Sequence, residues 1–417
     1  MASSDEHKSS PSDGDLGREA LTPPQSIKIM ISAGESSGEI HGAALVKAAL
    51  ARGLDWSFFG LGGDRLAEAG ARLLAHVRET AVMGLTEVLG SLRRILAIRS
   101  SLIRALELER PDALVLIDAP DFNFALAKAA TALNIPVIYY ICPQVWAWRP
   151  KRLNFLAANT RRRAVLFDFE KKFYEDRGVG ADWVGHPILD ELPPACPPDE
   201  LKKNLGFNPA KRLLALLPGS RRKVLERLAP AMLGAADLLL DRDPELQLAL
   251  PRADSVDPDF LQKFLDQAPA RVRERLEVFS RRSHEVLSGA DLALLASGTS
   301  SVEATFLGTP QVVAYRASRL SWFLGRRLIS VPYASIANLV AGREVVPELL
   351  QEGSTAENMA AAAWPLLAGG VARARMIDDL GQVRARLGRP GASDRVVDII
   401  AEELAASSSQ AREGGRP

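Results

Sequence analysis

The sequence has only two cysteines, five histidines and no long apolar run, and each shortage removes a class of protein. Cys142 and Cys196 form neither a CxxC spacing nor a disulfide framework, so a secreted, disulfide-stapled fold is excluded and a reducing cytosol fits. No stretch reaches the roughly 20 apolar residues that span a bilayer, which leaves a soluble or peripheral protein. His284-Glu285 lacks the second imidazole of H-E-x-x-H because Ser288 stands there. The pairs Asp241/Asp243 and Asp257/Asp259 fall in polar Pro-containing loops, so no metal is expected. Net charge is scarce too: 52 basic against 51 acidic residues leave +1, too little for a general nucleic-acid binder.

What is present is a repeated alternation of short apolar strands and amphipathic helices. From Ile27 the strands Ile27–Ser32, Trp56–Gly60, Ala113–Ile117 and Pro136–Ile141 alternate with helical stretches, the pattern of βαβ winding. Around Asp190–Pro198 the run Leu-Pro-Pro-Ala-Cys-Pro-Pro cannot continue a helix and reads as a linker. A second series follows with strands Arg212–Leu217, Leu246–Leu250, Leu276–Phe279, Leu292–Leu295 and Gln311–Tyr315. The fold class is therefore α/β, with a tail over 1–26, one domain over 27–190 and a second over 199–375. Residues 405–417 read as a second tail. From Ala81 to Leu108, Leu85, Val88, Leu89, Leu92, Ile95 and Leu96 fall at helical spacing beside Arg93, Arg94, Arg99 and Arg104. That helix is either a core element or a surface for acyl chains and anionic headgroups.

Candidate chemistry gathers at strand ends, where open parallel sheets bind ligands. Ala113–Ile117 ends in Asp118-Ala-Pro-Asp121-Phe-Asn123. Pro136–Ile141 runs into Pro143, Gln144, Trp146, Trp148 and Arg149, indoles that serve either a ligand or a core cap. Gly34-Glu-Ser36-Ser37-Gly38 opens a helix whose amides suit an anion or hydroxyl. It also matches the G-x-S-x-G elbow, which leaves a serine hydrolase using Ser36 as a competitor. In the second half, Pro218-Gly-Ser220-Arg221 and Ser297-Gly298-Thr299-Ser300-Ser301-Val-Glu303 each turn from strand into helix. Two such turns suit a nucleoside diphosphate, with Glu303 for ribose hydroxyls or, blandly, for a capping box.

Several segments together, Ala33–Gly38, Ala81–Gly90, Ile117–Asn123, Pro143–Trp148, Val184–Pro187, Leu216–Arg221, Ala296–Thr299 and Asn338–Glu344, resemble the lipid-A-disaccharide synthase family over nearly all of Ile27 to Leu404. The resemblance implies a GT-B fold, two Rossmann-like domains facing a cleft, with acceptor in the first half and UDP-sugar in the second. Helices over 376–404 are expected to cross back to the first domain. It implies inverting transfer of 2,3-diacylglucosamine from its UDP derivative to 2,3-diacylglucosamine 1-phosphate, giving a β-1′,6-linked disaccharide phosphate and UDP. No cofactor or metal is implied. The place of work is the cytoplasmic face of the inner membrane, and the family suggests a homodimer. Another GT-B UDP-sugar transferase or an epimerase is the alternative.

Asp118 stands where the family often places its base, with Asp121 and His186 as alternatives. Ser36, Ser37, Gln144, Trp146, Trp148 and Arg149 are expected around the substrates. Ser220, Arg221, Ser297, Gly298, Thr299, Ser300 and Glu303 are expected on the donor, joined by Asn338, Arg343 and Glu344. Two departures stand out: Glu39 where Asp is frequent, and Asp168 where Pro is frequent.

Overall fold

The computed structural model describes residues 26–80, 88–192, 196–318, 322 and 331–413. Among them are two parallel sheets. The first contains β1 (Ile27–Ala33), β2 (Trp56–Gly62), β3 (Arg72–His76), β4 (Ala113–Ile117), β5 (Val137–Tyr140), β6 (Arg162–Val165) and β7 (Asp182–Trp183), in the order β3-β2-β1-β4-β5-β6-β7. The second contains β8 (Leu213–Leu217), β9 (Gln247–Arg252), β10 (Leu276–Ser280), β11 (Leu292–Ala296), β12 (Gln311–Tyr315) and β13 (Glu348–Leu350), in the order β10-β9-β8-β11-β12-β13. Central strands such as Ala113–Ile117, Leu213–Leu217 and Leu292–Ala296 are buried along their whole length. Helices cover both faces of a parallel sheet, so these strands carry continuous apolar runs.

Every strand expected from sequence is present, and four more flank them. β3 and β13 are half-exposed edge strands, and β7 is two residues long. β6 opens in the arginine run Arg161–Arg163, which gives no apolar strand signal. Arg162 is in fact bound by Asp182 at 2.9 Å and Glu402 at 3.0 Å, so its charge is neutralised in place.

The return of the chain to the first domain starts later than expected. Helix Val371–Arg386 stays with the second domain, burying Met376, Leu380 and Val383 in its core. Gly388-Arg-Pro-Gly391 then breaks the helix, since two of its glycines have φ near +100°. Helix Ala392–Glu413 makes the return, placing Val396, Val397, Ile399, Ile400 and Leu404 in the first core beside Leu45 and Val46. It also runs on through Glu413, past the point where a tail was expected at 405. The N-terminal stretch 1–25, Leu85, and linker residues 193–195 lie outside the described residues.

At the point of exchange the two interdomain strands of chain touch. A Cβ on Gly388 would stand 3.1 Å from the Gly185 Cα, and one on Gly185 would stand 3.2 Å from the Arg395 guanidinium. Arg395 donates to the carbonyls of Val184 at 2.7 Å, Arg389 at 2.6 Å and Pro390 at 3.0 Å, while Asp190 accepts from the Ala392 amide at 3.1 Å.

Candidate active site

Both sheets reverse their winding direction at the same place, between β1 and β4 and between β8 and β11. A crevice opens outside the carboxyl ends of strands at such a point. Two cavities lie there. One, of about 820 Å³, lies between the domains and is lined from the first by Glu35, His41, Asp118, Gln144, Trp146, Trp148 and His186. From the second domain it takes Arg221, Ser297, Gly298, Thr299, Tyr315, Trp322 and Tyr333. The other, of about 690 Å³, sits over the second sheet and is lined by Ser220, Arg252, Arg281, Arg282, His284, Ser300 and Glu303, with Arg65 and Glu191 reaching in from the first domain. Helix Thr299–Leu307 begins at the seam, giving Thr299 to one cavity and Ser300 to the other.

Asp118 is held with unusual backbone geometry. It and Ala119 both take left-handed φ values, 47° and 46°, a conformation that L residues avoid and that surrounding bonds must enforce. The enforcing bonds are visible. The Asp118 carbonyl accepts from the Tyr139 hydroxyl at 2.8 Å and from Asn123 Nδ2 at 2.8 Å. Asn123 is itself fixed by the Ser32 hydroxyl at 2.7 Å. Room is made by Gly34, where a Cβ would come within 2.6 Å of Ala119 Cβ. Burial, then the nearby Glu35 carboxylate, push the Asp118 carboxyl above its ordinary range, partly offset by the Ala119 amide.

Asp121, three residues on, is exposed, forms an ion pair with Arg152 and does not line the cleft. The D-A-P-D ambiguity is thus resolved geometrically: one carboxylate faces the cleft and the other faces solvent. His186 lies in the cleft wall, its ring between Phe167 and Phe306 at 5.7 and 5.5 Å. Burial depresses its pKa to about 3, so it is neutral at physiological pH.

The indole of Trp146 donates to Glu170 at 2.7 Å, and Glu170 also accepts from the Leu166 and Phe167 amides at 2.8 and 3.1 Å. Burial raises the Glu170 carboxyl to about 7. Trp148 carries the Arg149 guanidinium at 4.6 Å and that of Arg152 at 5.3 Å from its ring centre. Arg149 is exposed and lies against this ring, not among the cleft-lining groups.

On the second domain, helices Arg222–Leu240 and Thr299–Leu307 start without side-chain caps, leaving their first amides free towards the cavities. Glu303 stands 3.6 Å from His284 Nε2, and this partner raises the imidazole's pKa against the opposing effect of burial.

Three expected donor contacts are placed elsewhere. Asn338 is fully buried: its amide donates to Val346 and Glu348 at 2.9 and 2.8 Å and its carbonyl accepts the Val345 and Val346 amides at 2.7 and 2.9 Å. All its capacity is spent on the fold. Glu348 in turn holds the Ala334 and Ser335 amides at 2.8 Å, which braces the cleft wall from Val331 to Ala334. Arg343 is paired with Asp379 at 2.6 Å, and Glu344 is exposed outside both cavities. Ser36 and Ser37 open helix Ser36–Ala51. The Glu39 departure has a structural use, since its carboxylate accepts the Arg65 amide at 2.7 Å.

On the arginine-flanked helix, Val88–Glu109 is helical, Leu85 lies outside the described residues and so do the side chains of Val88, Leu89 and Leu92. Ile95 is half-buried, Leu96 is 38% exposed, and Ile98, Leu102 and Leu106 enter the core. The helix is thus a core element along its later turns.

Sequence reasoning passed over His41, Glu191, Glu35 and the Asn123–Tyr139 clamp. Asn123 was available as the end of the Asp-Ala-Pro-Asp-Phe-Asn run. His41 carried no local signal, because a lone imidazole one turn into a helix looks like surface.

Comparison with known proteins agrees with this geometry. Residues 29–394 match the family described as lipid-A-disaccharide synthetase. The lipid-A-disaccharide synthase of Syntrophus aciditrophicus is 40% identical over 88% of this chain and 95% of its own length. That of Geobacter metallireducens is 41% identical over 90% and 97%. Among solved structures, S. aureus MnaA with UDP superposes with a TM-score of 0.63 at 15% identity, over 91% of this chain and 97% of that one. The UDP-GlcNAc 2-epimerase of Neisseria meningitidis bound to UDP-GlcNAc gives 0.61 at 14%, over 90% and 99%. These likenesses establish the GT-B architecture, and the serine-hydrolase reading of Ser36 falls away. With a cleft between two Rossmann-like domains and a family match along nearly its whole length, the chain belongs to the lipid-A-disaccharide synthases, hexosyltransferases of lipid A biosynthesis.

Proposed function

We propose that the chain transfers 2,3-diacylglucosamine from its UDP derivative to the 6-hydroxyl of 2,3-diacylglucosamine 1-phosphate, with inversion, and that Asp118 is the base. The observation that carries this reading is the opposition across one cleft of a half-buried first-domain carboxylate and a second-domain rim of Arg221 and uncapped helix starts. Inversion needs these two things on opposite sides of the anomeric carbon. Asp118 takes the acceptor hydroxyl's proton, the new oxygen–carbon bond forms, and the electron pair of the breaking bond leaves with UDP. Arg221 and the amides of Gly298 and Thr299 meet the diphosphate, so neither metal nor cofactor is required. Glu303, with Ser220 and Ser300, takes the nucleoside end in the second cavity.

The acylated substrates call for a membrane surface. No helix among the described residues is long and apolar enough to cross a bilayer. Peripheral attachment to the cytoplasmic face of the inner membrane, through exposed Arg93, Arg94 and Leu96, fits the exposed turns of helix Val88–Glu109, and a homodimer is part of the same reading. The deciding experiment is turnover of the two lipids in mixed micelles with EDTA present, following product by mass spectrometry. Disaccharide phosphate and UDP in equal amounts are expected. A UDP-sugar isomerised without acceptor would replace the transfer with an epimerase reaction, and UDP release without disaccharide would reject the acceptor.

A further inference from the structure

The cleft contains a second group whose protonation state is fixed by its surroundings. His186 Nδ1 accepts the Ile188 amide at 3.2 Å, so that nitrogen must present a lone pair. The ring is packed between Phe167 of the first domain and Phe306 of the second, and the titratable side chain acting on it is His41, itself held neutral by burial at about 4. A neutral imidazole with Nδ1 committed as acceptor carries its hydrogen on Nε2. His186 lines the interdomain cavity, and among the described residues its Nε2 has no acceptor. The molecule therefore presents an uncharged N–H to the cleft, with no site left on the ring to take a proton.

This arrangement is unsuited to a base and suited to an electrophile. Phe306, which clamps the ring, lies on the helix that starts at Thr299, so the imidazole belongs to the same packing unit as the anion-binding turn. We infer that His186 is a catalytic residue of the glycosyl transfer, donating its Nε2–H to an oxygen of the leaving diphosphate. The inference rests on the transferase reading above and adds a group to it. In the step, the proton of the acceptor hydroxyl goes to Asp118 and the electron pair of the sugar–oxygen bond goes to the diphosphate. His186 keeps its hydrogen throughout, strengthening one hydrogen bond as charge grows on its acceptor.

The test begins with ¹⁵N-histidine-labelled full-length protein. The His186 ring is expected as the neutral Nε2–H tautomer across about pH 5 to 9, with its Nε2–H resonance shifting when UDP is added. An Nδ1–H tautomer, titration near the ordinary histidine value, or a resonance indifferent to UDP overturns the inference, whatever the acceptor proves to be. Kinetics supply the second arm. His186→Gln, which keeps an amide N–H in reach but cannot act as a base, is expected to retain kcat within about tenfold, whereas His186→Ala loses about a hundredfold. Equal loss in both variants would return His186 to a role as base or spacer. Asp118→Asn reports separately on the transferase reading, since activity there would sink the base assignment while leaving the tautomer measurement untouched.

Discussion

The two domains occupy the same topological slot with opposite chemistry. In each, the loops after the first and fourth strands flank the point where the winding reverses. In the first domain those loops deliver Glu35 and Asp118, with two imidazoles held neutral nearby. In the second they deliver Arg221 and free helix amides. The same backbone solution thus carries a carboxylate on one side and a guanidinium with free helix amides on the other. Burial acts differently as well. Asp118 is raised by desolvation with its carbonyl pinned, whereas Glu303 is accompanied by an imidazole whose charge it stabilises. What distinguishes the halves is the side chains placed at strand ends, in accord with the general separation of fold from function.

Exchanging or deleting those side chains should break the comparison, and the expected effects differ in size. The largest is Asp118→Asn. Loss of a general base lowers kcat by on the order of 10³-fold while UDP affinity, measured by calorimetry, changes little. The same change at Asp121, on the solvent side, should leave kcat within about twofold, as expected for loss of an exposed ion pair. The pH profile adds a sign. The proposed base must be deprotonated to act and the Asp118 pKa is raised, so kcat is expected to fall on acidification at a higher pH than an ordinary carboxylate would give. Activity held down to the usual carboxylate range would contradict the assignment.

Next in size is Ile400→Ala in the returning helix, which empties a fully buried position in the first core. It should cost about 2–5 kcal/mol, read by urea unfolding of the first domain, while UDP binding by the second persists. If both domains lost stability together, the two cores would be one cooperative unit. Arg221→Ala then probes the anion side. Removing a charged donor is worth about 1.5–3 kcal/mol, so UDP should bind about 10- to 100-fold more weakly, the reverse of the Asp118 pattern. Unchanged UDP affinity would move the diphosphate elsewhere.

The smallest effect concerns Glu170 behind Trp146. Its folded pKa of about 7 exceeds the ordinary 4.5, so the folded protein retains a proton that the unfolded chain has lost between those values. Stability from this group is therefore greatest below about pH 4.5 and declines as pH rises towards 7. His186 and His41, with depressed values, act in the opposite sense over about pH 4 to 6.5. Comparing Glu170→Gln with the natural protein isolates the carboxyl: the variant's Tm should gain on the parent's by a few degrees between about pH 5 and 8. A difference independent of pH would mean the carboxyl does not titrate in that window.

Much of this was legible in the chain. Strand positions followed from apolar runs, because strands buried on both faces need no polar alternation. The site's strand-end motifs followed from helix starts with small residues. The misreadings have physical causes. Asn338 lies within helix Ile336–Ala341 and Arg343 and Glu344 just beyond it, and only the fold reveals that Asn338 braces Val345 and Val346 while Arg343 binds Asp379. The return to the first domain lies later than the resemblance implies because Met376, Leu380 and Val383 pack into the second core. Edge strands such as β3 escaped notice because a half-exposed strand loses the signal that marks a central one. His41 and Glu191 come within 3.8 Å of each other only through tertiary folding, and no local pattern encodes such a meeting.

The contact between Gly185 and Gly388 sets the kinematics of the whole molecule. Two backbones touch there, and Arg395 and Asp190 tie one crossing to the other. A joint of that kind would resist sliding and stretching, so any relative movement of the domains would reduce to turning about it. Displacement would then grow with distance from the joint. His186 follows Gly185 by one residue and would stay almost stationary, while the rim farther out would sweep through the largest arc. A cleft built on such a joint would widen at its rim before the groups nearest the joint were displaced.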